Sequence, residues 1–184
     1  MPPLPAQDGA HGVIASRPGE TAASPCGMTS DDLRRWLTES GGANPLILGV
    51  GNRLRGDDGA GCHLIDRISD TGRVRCIDGG CAPENHIERV ATMRPGVVWL
   101  VDAVDFGGRP GELRVFPPER MGGDALSTHA GSLRLCCEYL RSRAEIPVVL
   151  IGIQPESVVL GRALSAPVSR AVERLAGILR EAGR

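Results

Sequence analysis

The 184-residue chain contains no lysine; all 21 of its basic residues are arginine. Schiff-base catalysis, a Ser-Lys dyad and a P-loop lysine are therefore excluded. A biased base composition accounts for arginine in place of lysine more simply than function does. The arginines are interspersed with 22 acidic residues, the formal net charge is -1, and no basic stripe of the kind nucleic acid requires is present. Aromatic residues are equally scarce, with two Trp, two Phe and one Tyr. No apolar run approaches the ~20 residues of a membrane span. The cysteines at 26, 62, 76, 81, 136 and 137 include no CxxC pair, so they read as reduced, buried small residues rather than a disulfide scaffold. There is no N-x-S/T acceptor. Residues 1–29 are rich in Pro, Gly and Ser and have no apolar h-region. They read as a disordered tail rather than a secretory signal, and a cytoplasmic location is expected.

From residue 30 to 184 the pattern predicts one α/β domain. Leu46–Val50, Val97–Val101 and Val148–Ile153 are rich in Val, Ile and Leu without polar alternation, as strands buried on both faces are. Val74–Ile77 is a shorter run of that kind, while Glu112–Phe116 alternates and suggests an edge or antiparallel strand. Helical spacing fills the gaps at Asp31–Glu39 (capped by Ser30, stopped by Gly41-Gly42), Ala60–Ile68, Glu84–Met93 and Ser132–Arg143. The last helix has Ser165 as its cap and Pro167 in its first turn; Val168, Ala171, Val172, Leu175, Ile178 and Leu179 form its stripe. The expected fold is a three-layer α/β/α sandwich around a mostly parallel, mixed sheet of about five strands.

Ligands of such sheets gather at the carboxyl ends of the strands. Those ends carry Gly49-Val-Gly-Asn-Arg-Leu-Arg-Gly-Asp57-Asp58-Gly59, then Asp78-Gly79-Gly80, then Asp102, and Ser127-Thr128-His129 precedes the fourth helix. A dinucleotide reading fails, because Leu54 stands where the third glycine belongs and two aspartates occupy the place of a pyrophosphate. Asp57 reads as a helix cap. Asp102 ends five apolar residues, and a carboxylate there needs a backbone donor, an arginine or a metal. Asp58, Asp102 and His129 form a set that suits a borderline divalent cation such as zinc or nickel. Cys62, in a helix's first turn, reads as a small buried residue more readily than as half of a thiol pair with His129. His63 and His86 read as solvated surface, and His11 falls in the tail. Asp78 either shapes a turn or lines the cleft; with Asn52 it is assigned to substrate binding.

The stretch Gly49–Gly61 resembles the opening motif of the nickel-iron hydrogenase maturation endopeptidases. Further matches follow in order: Ile77-Asp-Gly-Gly-Cys-Ala-Pro-Glu-Asn85, Arg94-Pro95, Val101-Asp-Ala103, Pro110-Gly-Glu112, Thr128-His129 and Gly152-Ile-Gln-Pro155. Coverage runs from about Leu46 to Leu179. The Ala-Pro-Glu-Asn and Gly-Ile-Gln-Pro blocks look most like the branch that serves the formate hydrogenlyase complex. The resemblance implies a peptidase that removes a short C-terminal extension from the hydrogenase large-subunit precursor after nickel insertion. It places the metal-contacting and catalytic residues at Asp58, Asp102 and His129, with the nickel supplied by the precursor rather than permanently bound. Many relatives have Glu at the first position. Cys62 stands where close relatives have proline, which speaks against a thiol mechanism. Two other readings are a metal-dependent hydrolase of a small substrate and a non-catalytic nickel-site chaperone.

Overall fold

The three apolar runs form the centre of a five-stranded sheet in the computed structural model, which describes residues 29–40, 44–69, 75–116 and 127–182. The elements, in chain order, are α1 (Ser30–Ser40), β1 (Pro45–Val50), α2 (Ala60–Ser69), β2 (Arg75–Gly80), α3 (Ile87–Thr92), β3 (Val97–Ala103), β4 (Leu113–Phe116), α4 (Ala130–Ala144), β5 (Val148–Ile153) and α5 (Ala166–Ala182). The strand order is β2-β1-β3-β5-β4, with β4 antiparallel to β5 and every other pair parallel. Alternation along the central strands sends Ile47, Trp99, Val101 and Ile151 to a core shared with α1, α2 and α5. Leu46, Leu48, Val98, Leu100 and Leu150 go to a second core with α3 and α4. Both faces are apolar because both are covered, and the expected α/β/α layering and mixed sheet are observed.

Several local expectations change. The cap of α1 is Thr29, not Ser30: its Oγ1 accepts from Asp32 N (3.1 Å) while Asp32 Oδ2 accepts from Thr29 N (3.2 Å), a reciprocal box. β2 runs on through Asp78-Gly79-Gly80, which the apolar pattern could not register because pairing with β1 carries those residues. The expected helix Glu84–Met93 divides into a 3-10 helix, Pro83–His86, and α3. His63 and His86 are half-buried rather than freely solvated. The tail before residue 29, with His11 and Cys26, lies outside the described residues, as do Val74 and the Gly41-Gly42 stop. No helix among the described residues is long and apolar enough to cross a membrane.

Glycines place the first functional loop. A Cβ on Gly61 would lie 2.2 Å from Val101 O and 2.4 Å from Val50 O, so α2 begins in backbone contact with β1 and β3. Gly51, at φ +143°, would bring a Cβ to 1.9 Å from Asp58 O. The glycine-rich motif thus serves close packing of the 3-10 helix Gly56–Gly59 against the strand ends.

Candidate active site

Asp58 lies in that 3-10 helix, Asp102 near the end of β3, and His129 at the start of α4. All three are buried, Asp102 completely. The segment Ser127-Thr128-His129 joins them. Ser127 Oγ donates to Asp102 Oδ2 (2.5 Å) and accepts from His129 N (3.0 Å). Asp102 Oδ1 accepts from Ala103 N (2.8 Å) and lies 3.4 Å from His129 Nδ1. Thr128 Oγ1 donates to Asp58 Oδ1 (2.7 Å) and sits 3.1 Å from His129 Nδ1.

One hydroxyl proton cannot serve two acceptors. With that proton given to Asp58, Thr128 Oγ1 accepts from His129 Nδ1–H, and the Asp102 carboxylate favours the same proton position. The neutral imidazole then exposes a lone pair on Nε2, which has no hydrogen bond among the described residues. Asp58 Oδ2 is likewise without a hydrogen-bond donor there. These two atoms are the open positions of the site. Burial works against protonation of His129, but Asp102 and then Asp58 outweigh it, with Arg55 in opposition, so its pKa is raised above the ordinary value.

Among the described residues, no arginine forms an ion pair with Asp58 or Asp102. Two buried carboxylates held by hydroxyls, one backbone N–H and an imidazole form a hard, anionic donor set that suits a divalent cation. As folded, no group of three or more His, Cys, Asp and Glu side chains among the described residues is spaced to enclose a metal ion.

The neighbouring Asp57 differs in role. It does not cap α2; its Oδ2 accepts from Glu156 N (2.8 Å) and Ser157 N (3.0 Å) and its Oδ1 from Ser165 N (2.6 Å). It is fully buried and fastens the loop between β5 and α5 to the loop that carries Asp58. Asp78 is drawn onto Arg53, whose Nη2 donates to it (2.5 Å) and which also holds both carboxylate oxygens of Asp66 (2.6 and 3.0 Å). Burial raises the Asp78 pKa, but Arg53, the Cys62 thiol and Gly80 N–H together bring it below the usual carboxylate value. Asn52 Oδ1 accepts from Leu54 N (3.0 Å), shaping the loop. Cys62 is buried, donates to Gly51 O (3.3 Å), and has its thiol pKa pushed up by burial and by Asp78. It is no thiolate.

Composition and spacing gave no signal for Ser127, Thr128 or Arg53 as partners. A signal did exist for Gln154, the polar residue that follows β5. Its Oε1 accepts from Phe106 N (2.9 Å) and Gly108 N (3.0 Å), clamping the loop after β3. A groove of about 1000 Å³ is lined by Arg94, Pro95, Arg143 and Pro147 among others, at the opposite end of the strands from these residues.

Fold and candidate site together describe an α/β protein that gathers two buried carboxylates and an imidazole at the strand ends. The family model for HycI, a hydrogenase maturation protease, matches residues 61–182, and the chain belongs to that family. The hydrogenase 3 maturation protease of Escherichia coli K12 is 36% identical over 131 residues, spanning 70% of this chain and 83% of the relative. The hydrogenase expression/formation protein HoxM of Cupriavidus necator is 31% identical over 153 residues, spanning 75% of each chain. Among solved structures, the [NiFe] hydrogenase maturation protease HycI of Thermococcus kodakarensis superposes with a TM-score of 0.73 at 34% identity, covering 82% of this chain and 97% of that one. The endopeptidase HycI of Escherichia coli gives a TM-score of 0.65 at 34% identity, covering 75% and 90% respectively. The protein is a hydrogenase maturation protease, an endopeptidase.

Proposed function

We propose that this endopeptidase removes the C-terminal extension of a nickel-iron hydrogenase large-subunit precursor in the cytoplasm, after nickel has been inserted. Asp58, Asp102 and His129 read the nickel that the precursor already holds. The observation that carries this reading is the pair of buried carboxylates with no arginine partner among the described residues, set beside an imidazole with an open Nε2. Nickel arriving with its substrate supplies the missing positive charge, so metal loading and productive docking become one event.

Hydrolysis then needs a base and a polarised carbonyl. Asp58 is the candidate base, since its Oδ2 is free to accept a proton from water, while nickel-bound substrate can polarise the scissile carbonyl. Water adds to the carbonyl carbon, its proton passes to Asp58 and then to the leaving amine, and the C–N bond breaks. His129, held by Asp102 and Thr128 through Nδ1, presents Nε2 to the metal. Asp78 and Asn52 line the approach of the substrate, with Asp78 steadied by Arg53.

The test is the intact mass of a nickel-loaded precursor before and after incubation with the protein. Loss of the mass of the extension supports the proposal. Stable binding with no mass change would favour a chaperone, and turnover of small esters or amides with the precursor left intact would favour a small-substrate hydrolase.

A further inference from the structure

Four large apolar side chains stand out as exposed on the described surface, and three of them are Leu54 at 69%, Val159 at 58% and Leu160 at 70%. Leu54 lies on the loop between β1 and α2; the other two lie on the loop between β5 and α5. A single exposed leucine is ordinary, but three brought together are not. The loops are fastened to each other by Gly161 N to Leu54 O (2.7 Å), Gly56 N to Arg162 O (3.0 Å), Asp57 N to Ser157 O (3.0 Å) and Arg55 Nε to Val158 O (3.3 Å). The Asp57 carboxylate adds its three backbone donors. Leu54 and Leu160 are thus neighbours across one backbone hydrogen bond.

The presentation of Leu160 is built in. Arg162 N donates to Val159 O (3.3 Å), closing a turn in which Gly161 takes φ +79°. A positive φ at the third position is the type II pattern, and it leaves Leu160 at the tip. The surface is apolar and its two loops are tied at several points, one of them the loop that carries Asp58.

Its border is cationic. Arg55 and Arg162 form no ion pair among the described residues, unlike Arg53, which is taken by Asp66 and Asp78. Glu156 is an exposed acid on the same loop. We propose that Leu54, Val159 and Leu160, bordered by Arg55 and Arg162, dock the C-terminal extension of the precursor, its apolar side chains on the three exposed residues and its free α-carboxylate toward the arginines. This rests on the peptidase reading above. A substrate chain lying across Asp58 leaves the site in two directions, and only the extension ends in a carboxylate. The two unpaired arginines select that direction.

The test uses a fluorescently labelled synthetic extension peptide, with a free carboxylate or an amidated end, and the full-length protein. Anisotropy should show wild type binding the free-acid peptide more tightly than the amide. The double variant Leu54→Ser/Leu160→Ser should weaken both peptides by about tenfold. Arg55→Gln/Arg162→Gln should abolish the preference for the free acid. Equal affinity for the two peptides in wild type, or unchanged binding in the leucine variant, overturns the proposal. Melting curves confirm that the variants fold. Peptide binding by wild type without shortening of the nickel-loaded precursor would instead sink the peptidase reading and leave the docking surface standing.

Discussion

Two groups of carboxylates meet near the same end of the sheet and are treated in opposite ways. Asp66 and Asp78 close around Arg53, which carries a permanent positive charge to both. Asp58 and Asp102 are more deeply buried, yet among the described residues their partners are hydroxyls, a backbone N–H and an imidazole. Burying a carboxylate without a cation is costly, and a fold that needed only stability would supply an arginine, as this one does nearby. Under the proposed function, the difference separates a structural cluster from one completed by the charge of the substrate's metal. A second contrast sits within one dipeptide. Asp57 spends its carboxylate on three backbone donors, whereas Asp58 keeps an oxygen open.

The largest expected effect tests the first contrast directly. Asp58→Asn should lower processing of nickel-loaded precursor by at least about 100-fold, while the melting temperature of the metal-free protein stays level or rises because a buried charge is removed. A parallel fall in both would make Asp58 structural. Asp57→Asn should do the reverse. Weakening its contacts to Glu156, Ser157 and Ser165 should cost about 2–4 kcal/mol in urea unfolding. Thr128→Val removes the hydroxyl between Asp58 and His129 and should slow processing by about tenfold, with Thr128→Ser restoring it. Arg53→Met removes the guanidinium shared by Asp66 and Asp78; these groups are partly exposed, so the expected loss is about 1–2 kcal/mol.

Cys62→Ala should matter least, within about 1 kcal/mol of stability and with processing nearly unchanged. Its thiol is buried and its pKa is raised, so iodoacetamide should label the exposed Cys81 well before Cys62. Early labelling of Cys62, or an inactive but folded alanine variant, would reopen the thiol route.

Much of the frame was legible in the sequence because its physics is local. Strands buried on both faces read as unbroken apolar runs, and the stripe of α5 fixed its face and its cap at Ser165. Asp58, Asp102 and His129 could be picked out because each stands at the end of an element where the fold gathers ligands. What escaped was long-range. Asp57 takes its donors from residues about a hundred positions away, and Arg53 meets Asp78 only through the pairing of β1 with β2. Ser127 and Thr128 could be seen as neighbours of His129, but nothing in their spacing says that their hydroxyls reach two different carboxylates. The extension of β2 was missed for a related reason, since Asp78-Gly79-Gly80 gain strand geometry from a partner rather than from propensity.

The lysine-free composition bears on the same contrast. With no lysine to consider, arginine partners can be followed, and among the described residues Asp58 and Asp102 have none. The measurement that tests this most directly is the affinity of the protein for nickel-loaded against nickel-free precursor, in wild type and in Asp58→Asn. Wild type should bind the loaded form at least about tenfold more tightly, and the variant should bind both alike. Equal affinity in wild type, or a preference that survives in Asp58→Asn, would contradict the claim that the unbalanced carboxylates are completed by the metal of the substrate.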